Sequence, residues 1–191
     1  MSGQLNRLDV DWGRFRTATG LVGQWQYQID DSSLFSLYGQ YAKLEYIGQN
    51  TRDADRGTAG VGYARSFPVR FSPTVFTGLY YADERERDRT RPDFGHKAWG
   101  VRLGGQLTLL DTVALFASAA YEDREYNGPD PFTGFGTRGD RQLDLRVGLN
   151  VTPAKFWTVS PQLALTDNQS NIPFNDFNRF QALISVRREF R

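Results

Sequence analysis

The sequence predicts an all-β protein, an antiparallel up-and-down transmembrane β-barrel of about ten strands. Three observations carry that reading. Apolar residues recur at period two rather than 3.6. The connections alternate between short and long. Nearly all strand segments reach the roughly nine to eleven residues that a tilted strand needs to cross a bilayer.

The segments follow one another along the chain at 4–14, 20–30, 34–47, 57–66, 71–84, 95–109, 112–124, 140–151, 156–168 and 177–190. In the second, Leu21, Trp25, Tyr27 and Ile29 alternate with Val22, Gln24, Gln26 and Gln28. A strand puts each of these sets on its own face, whereas a helix would scatter them around its circumference. In the third, the apolar set moves from Phe35, Leu37 and Tyr41 to Ala42, Leu44 and Tyr46, which predicts a β-bulge. The fifth carries Val75, Thr77, Leu79 and Tyr81 on one face. The sixth sets Trp99, Val101, Leu103, Leu107 and Leu109 against Gly100, Arg102, Gly104, Gln106 and Thr108. Val113, Leu115, Ala117, Ala119 and Tyr121 continue the pattern in the seventh, and Leu143, Leu145, Val147, Leu149 and Val151 in the eighth. The last sets Phe180, Ala182, Ile184, Val186 and Phe190 against Arg179, Gln181, Ser185 and Arg187.

Short turns are expected at 30–32, 67–69, 110–112 and 152–154, and longer polar links at 48–56, 85–94, 125–139 and 169–176. That order gathers the turns at one end and the loops at the other, as in barrels with short periplasmic turns and longer extracellular loops. Alternation alone would also suit a soluble sandwich or a lipocalin-like barrel. Strand length decides between them, because soluble strands average only about five or six residues. Aromatics near strand ends read as interface girdles: Tyr46, Tyr81, Trp99 and Tyr121 on the loop side, Phe35, Phe71, Trp157 and Phe190 on the turn side.

Composition sets the outer limits. A chain of 191 residues suits one domain. Hydrophobic residues make up 39%, yet 14 Phe, 9 Tyr, 4 Trp and 19 Gly suit pleated faces. A mean hydropathy of −0.54 fits a barrel whose every second residue faces water. Charge is balanced at 23 Lys+Arg and 22 Asp+Glu, so no nucleic-acid partner is expected. Zero cysteines exclude a disulfide scaffold, a thiolate metal site and a cysteine nucleophile. No run approaches the 18 apolar residues of a membrane-spanning helix. The first residues, 1–7, lack the apolar core of a signal peptide, so on the barrel reading an export signal has been removed or the chain belongs to something longer.

Parity along the strands assigns Arg102, Gln106, Asp144, Arg146, Asn150, Arg179, Arg187 and Glu189 to the barrel lumen. They would form either a closed plug of ion pairs and hydrogen bonds, expected of an isolated ten-strand barrel, or the wall of a conduit. In the charge run 83–91, Arg85, Arg87 and Arg89 would face outward above the lipid, and Glu84, Glu86 and Asp88 inward. Outward arginines are shaped to grip lipopolysaccharide phosphates, though a solvated hairpin would carry the same charges. The lone His96 beside Asp93 lacks the convergent partners of a metal site or an acid–base pair. Gly60–Gly62 and Gly104–Gly105 lie within strands, without the helix a phosphate loop requires. No enzyme activity, cofactor or metal is therefore expected.

Near the C-terminus the run Trp157–Leu163, the Asn-rich Thr166–Ile172, the segment Asp176–Arg179 and the close Val186–Phe190 resemble the last hairpin of the surface lipoprotein assembly modifier family. Those proteins are related to barrels tethered to tetratricopeptide repeats, and the resemblance extends, more loosely, back to about residue 33. It implies an outer-membrane location among outer-membrane lipids, a lipoprotein or other protein client moved to the cell surface, and a periplasmic helical repeat domain or partner. It also implies a barrel larger than ten strands, of which this chain would be a truncated member, and makes Phe190 an assembly signal. A passive small porin, adhesin or structural barrel is the alternative. Helical repeats encoded upstream would favour the first reading, and a signal peptide directly before residue 1 the second.

Overall fold

The computed structural model describes residues 2–10, 13–88, 90–129, 131, 134 and 136–189, with side chains from residue 16 onward. Ten strands form one sheet: β1 (Ser2–Val10), β2 (Gly13–Asp30), β3 (Ser33–Tyr46), β4 (Ala54–Ser66), β5 (Thr74–Glu86), β6 (His96–Leu110), β7 (Val113–Pro129), β8 (Thr137–Ala154), β9 (Trp157–Ser170) and β10 (Phe177–Arg188). Each pairs antiparallel with the next in sequence, an up-and-down order. The ladder is open, since β1 and β10 each pair with one neighbour only. No described helix is long and apolar enough to cross a membrane, and crossing falls to the strands.

Strands β2 to β9 run 13 to 18 residues. At about 3.3 Å per residue, even the shortest of these exceeds the roughly nine to eleven residues needed for a bilayer. The β4–β5 connection takes seven residues, 67–73, in place of the short turn expected at 67–69, but the other turn-side ends close in two residues at 31–32, 111–112 and 155–156. There Ser32 N–H bonds Asp30 Oδ1 at 2.7 Å, and Thr152 N–H bonds Thr112 O at 2.8 Å.

Four further sequence expectations are corrected. The first strand was expected to reach residue 14 and the second to start at 20, but β1 ends at Val10 and β2 begins at Gly13. Thr17, Ala18 and Thr19 fall between the two expected segments, yet Ala18 pairs with Leu44 and packs against the buried Ala42, Leu44 and Ala54, which draws them into the strand. The bulge expected in β3 is absent, because its register runs unbroken from Leu34 to Tyr46 against β2 and from Ser33 to Leu44 against β4. The apolar residues instead change face: Leu37 and Tyr41 stay on the outer side, while Ala42 and Leu44 turn inward and bury against Ala54. Tyr46 turns inward with them, stacks with Arg52 and is no part of an outer girdle. Phe71, expected at a strand start, lies in the 67–73 link with φ 69°, where Phe67 N–H bonds Pro73 O.

Two faces result. Trp25, Leu79 and Leu103 are 54%, 55% and 60% exposed on the outer face, the kind of apolar surface that lipid covers. Trp99 and Tyr121 sit on the same face with ring centroids 5.7 Å apart. The inner face is floored by small residues such as Ala82, Ala98 and Gly100, over which longer polar side chains lie.

Candidate functional site on the polar inner face

Lateral rows of paired residues cross the sheet, and each row shares one face. Tyr38, Gly60, Tyr80, Gly100 and Glu122 follow one another from β3 to β7. Tyr38 lies across Gly60 and Tyr80 across Gly100, so a Cβ at either glycine would collide with the ring. The missing side chain lets the Tyr80 hydroxyl reach over β6 and donate to Glu122 Oε2 at 2.5 Å. Phe76 over Gly104 and Phe116 over Gly148 repeat the arrangement. Ring-over-glycine packing fills the space left by the glycine and pins the register. These glycines carried no role in the sequence reading; an aromatic at the paired position of the preceding strand is the signal that identifies them.

Seven of the eight residues assigned to the lumen lie on this face, and Glu189 follows the end of β10 beside Arg187. Arg102, Asp144 and Arg146 line one cavity of about 390 Å³, and Gln106, Asn150 and Arg187 another of about 490 Å³. Asp144 accepts from Thr166 Oγ1 at 2.6 Å and Gln142 Nε2 at 2.8 Å, and Asn150 Oδ1 accepts from Ser160 at 2.8 Å. Arg179 pairs in register with Thr166. Arg187 and Glu189 form an exposed ion pair at 3.4 Å.

A denser charge cluster sits toward the loop-side ends of β5, β7 and β8. Asp140, whose side chain is 1% exposed, accepts from Arg138 Nε at 2.9 Å and Nη2 at 2.5 Å, with Arg124 at 3.8 Å. Arg124 also bridges Glu122. Glu84 is buried and meets Arg56 at 3.8 Å. Above, in the 87–95 link, Arg91 grips Asp93 at 2.7 and 2.8 Å and holds its carboxyl below the usual aspartate range. Burying such charges is tolerable only because each carboxylate meets a guanidinium. The sequence reading placed Glu84 inward but passed over Arg124, Arg138 and Asp140, which sit at the expected strand margins.

The Asn-rich segment is a loop fastener. Asn168 Nδ2 donates to Asn175 O at 2.8 Å. Asn171 accepts from Gly139 N–H and donates to Thr137 O, each at 2.8 Å. Ser170 N–H bonds Asp176, and Ile172 is 1% exposed beneath the loop while Phe174 is 83% exposed at its tip.

On the outer face, Arg85 bonds Asp83 at 2.6 Å and Arg87 bonds Asp55 at 3.2 Å, so the outward direction expected for these two holds and each has a carboxylate partner. Arg89 and Phe190 lie outside the described residues.

Long paired strands, an apolar outer face and a polar inner one define the sheet of an outer-membrane β-barrel. The likeness to a solved structure agrees: the siderophore receptor PirA from Pseudomonas aeruginosa superposes with a TM-score of 0.51 at 14% identity, over 98% of this chain and 34% of that one. This chain thus spans about a third of that protein's length. No curated protein matches. The model of one family, surface lipoprotein assembly modifier, matches residues 10–190, and the chain belongs to that family.

Proposed function

We propose that the chain is the membrane part of a machine that displays lipoproteins at the surface of the cell outer membrane. The observation that carries this is the family match across residues 10–190. The inner face supports it: its arginines, carboxylates and amides can hold a polar, extended client by transient hydrogen bonds. The outer face supports a lipid setting, with Arg85 and Arg87 assigned to the headgroup layer.

The reading includes no bond-breaking chemistry, cofactor or nucleotide. Movement of a client is then driven by its folding outside, or by a periplasmic helical domain or partner that delivers it. The test is protease shaving of a candidate lipoprotein in cells carrying the full-length gene. Arg146→Glu with Arg179→Glu should reduce surface exposure, while Leu145→Val, on the lipid face, should not. Unchanged display with both charges reversed, and in a deletion strain, would make this a passive barrel.

A further inference from the structure

Cations outnumber anions in the loop-side half of the inner face. A cavity of about 600 Å³ there is lined by Arg16, Arg56, Arg102 and a single carboxylate, Glu122. A second of about 340 Å³ shares Arg16 and Arg56 and adds Arg52, Arg124 and Arg138 against Glu84 and Asp93. The carboxylates are mostly engaged. Glu122 holds the Tyr80 hydroxyl and Arg124, and Asp93 holds Arg91. Glu84 is reached by Arg56 at 3.8 Å. Among the described residues, neither Arg16 nor Arg102 has a carboxylate within ion-pair distance. Arg102 sits over the Tyr80 ring at 5.4 Å and Arg16 over Tyr46 at 5.9 Å. Ring contacts orient a guanidinium without neutralising it. Two oriented forks, neither in ion-pair contact with a carboxylate, thus face one polar cavity that also presents Thr58 and Gln40.

We propose that this cavity binds a small solute bearing a phosphate or carboxylate oxyanion, with Arg16 and Arg102 as its forks and Arg56 shared with Glu84. Guanidinium matches either group in bidentate geometry, and such charge-assisted pairs are stronger than neutral hydrogen bonds. The site does not depend on the display role, because a passive barrel would bind the same ion.

Titration calorimetry of the full-length protein, extracted from outer membranes in detergent, tests it with inorganic pyrophosphate and, separately, citrate. Saturable binding is expected. Arg16→Gln with Arg102→Gln should weaken it by about tenfold or more, as expected for loss of a charge-assisted pair, and Arg187→Gln by less than about twofold. Binding should also fall as salt rises. Pyrophosphate alone binding assigns the phosphate class, citrate alone the carboxylate class, and both a general oxyanion site. If the double variant loses its heat-shifted gel mobility, Arg102→Lys replaces it, keeping the charge without the fork, and must also weaken binding. No saturable binding of either probe, or equal binding by wild type and variant, overturns the site.

Discussion

The inner face has two halves built on different physics. On the loop side, Asp140, Arg138, Arg124 and Glu122 form a packed chain of ion pairs, and Asp140 is almost wholly buried. On the turn side, amides and hydroxyls such as Gln106, Asn150 and Ser160 replace charges, and the pair Arg187–Glu189 lies in the open. Between them, rings lie across glycines. The contrast teaches where charge is worth placing. An exposed pair gains little, whereas a buried group stripped of its partner costs several kcal/mol.

The sharpest way to break this comparison is Asp140→Ala, which strands two guanidiniums. It should cost about 3 kcal/mol, read from urea unfolding in lipid vesicles. Gly100→Val forces the Tyr80 ring off its seat and should cost about 2 kcal/mol in the same assay, with loss of the Tyr80–Glu122 bond. Tyr80→Phe keeps the ring on Gly100 and removes only the hydroxyl, so about 1.5 kcal/mol is expected. Glu189→Gln, on the open pair, should stay within about 0.5 kcal/mol. A cost for Glu189→Gln equal to that for Asp140→Ala would erase the distinction between the halves. The smallest effect concerns acid. Arg91 depresses the carboxyl of Asp93, so its contribution is full above the ordinary value of 3.8 and fades as pH falls through the lower folded value. Stability of Asp93→Asn should therefore converge on that of wild type below about pH 3.8, as the linkage requires.

Much of this architecture was legible in the sequence. Strands β6 to β9 follow from alternation that no small or polar stretch interrupts, as in Leu143, Leu145 and Val147. Parity also set polar residues such as Arg102, Asp144 and Arg146 apart from the apolar face of their strands. What stayed hidden depends on cross-strand partners. Residues 17–19 fell between the expected segments because no large apolar residue marks their face, and the pairing of Ala18 with Leu44 makes them strand. The inward turn of Ala42 and Leu44 looked like a bulge because one strand does not reveal which face is buried at each end. The Asp140 cluster was missed because its members join β7 to β8, and one-dimensional spacing holds no record of register.

The four rings over glycines have a direction. Tyr38 reaches from β3 to β4, Tyr80 and Phe76 from β5 to β6, and Phe116 from β7 to β8. Each therefore closes a hairpin joined on the loop side by a link of seven to nine residues, never one joined by a two-residue turn. Longer links carry a larger closure entropy, which grows slowly but steadily with length. A ring seated on its partner strand offsets that cost inside the hairpin itself, before any neighbour arrives. Insertion into the membrane would then proceed two strands at a time, each pair entering already latched, with the turn-side pairings made afterwards between finished units.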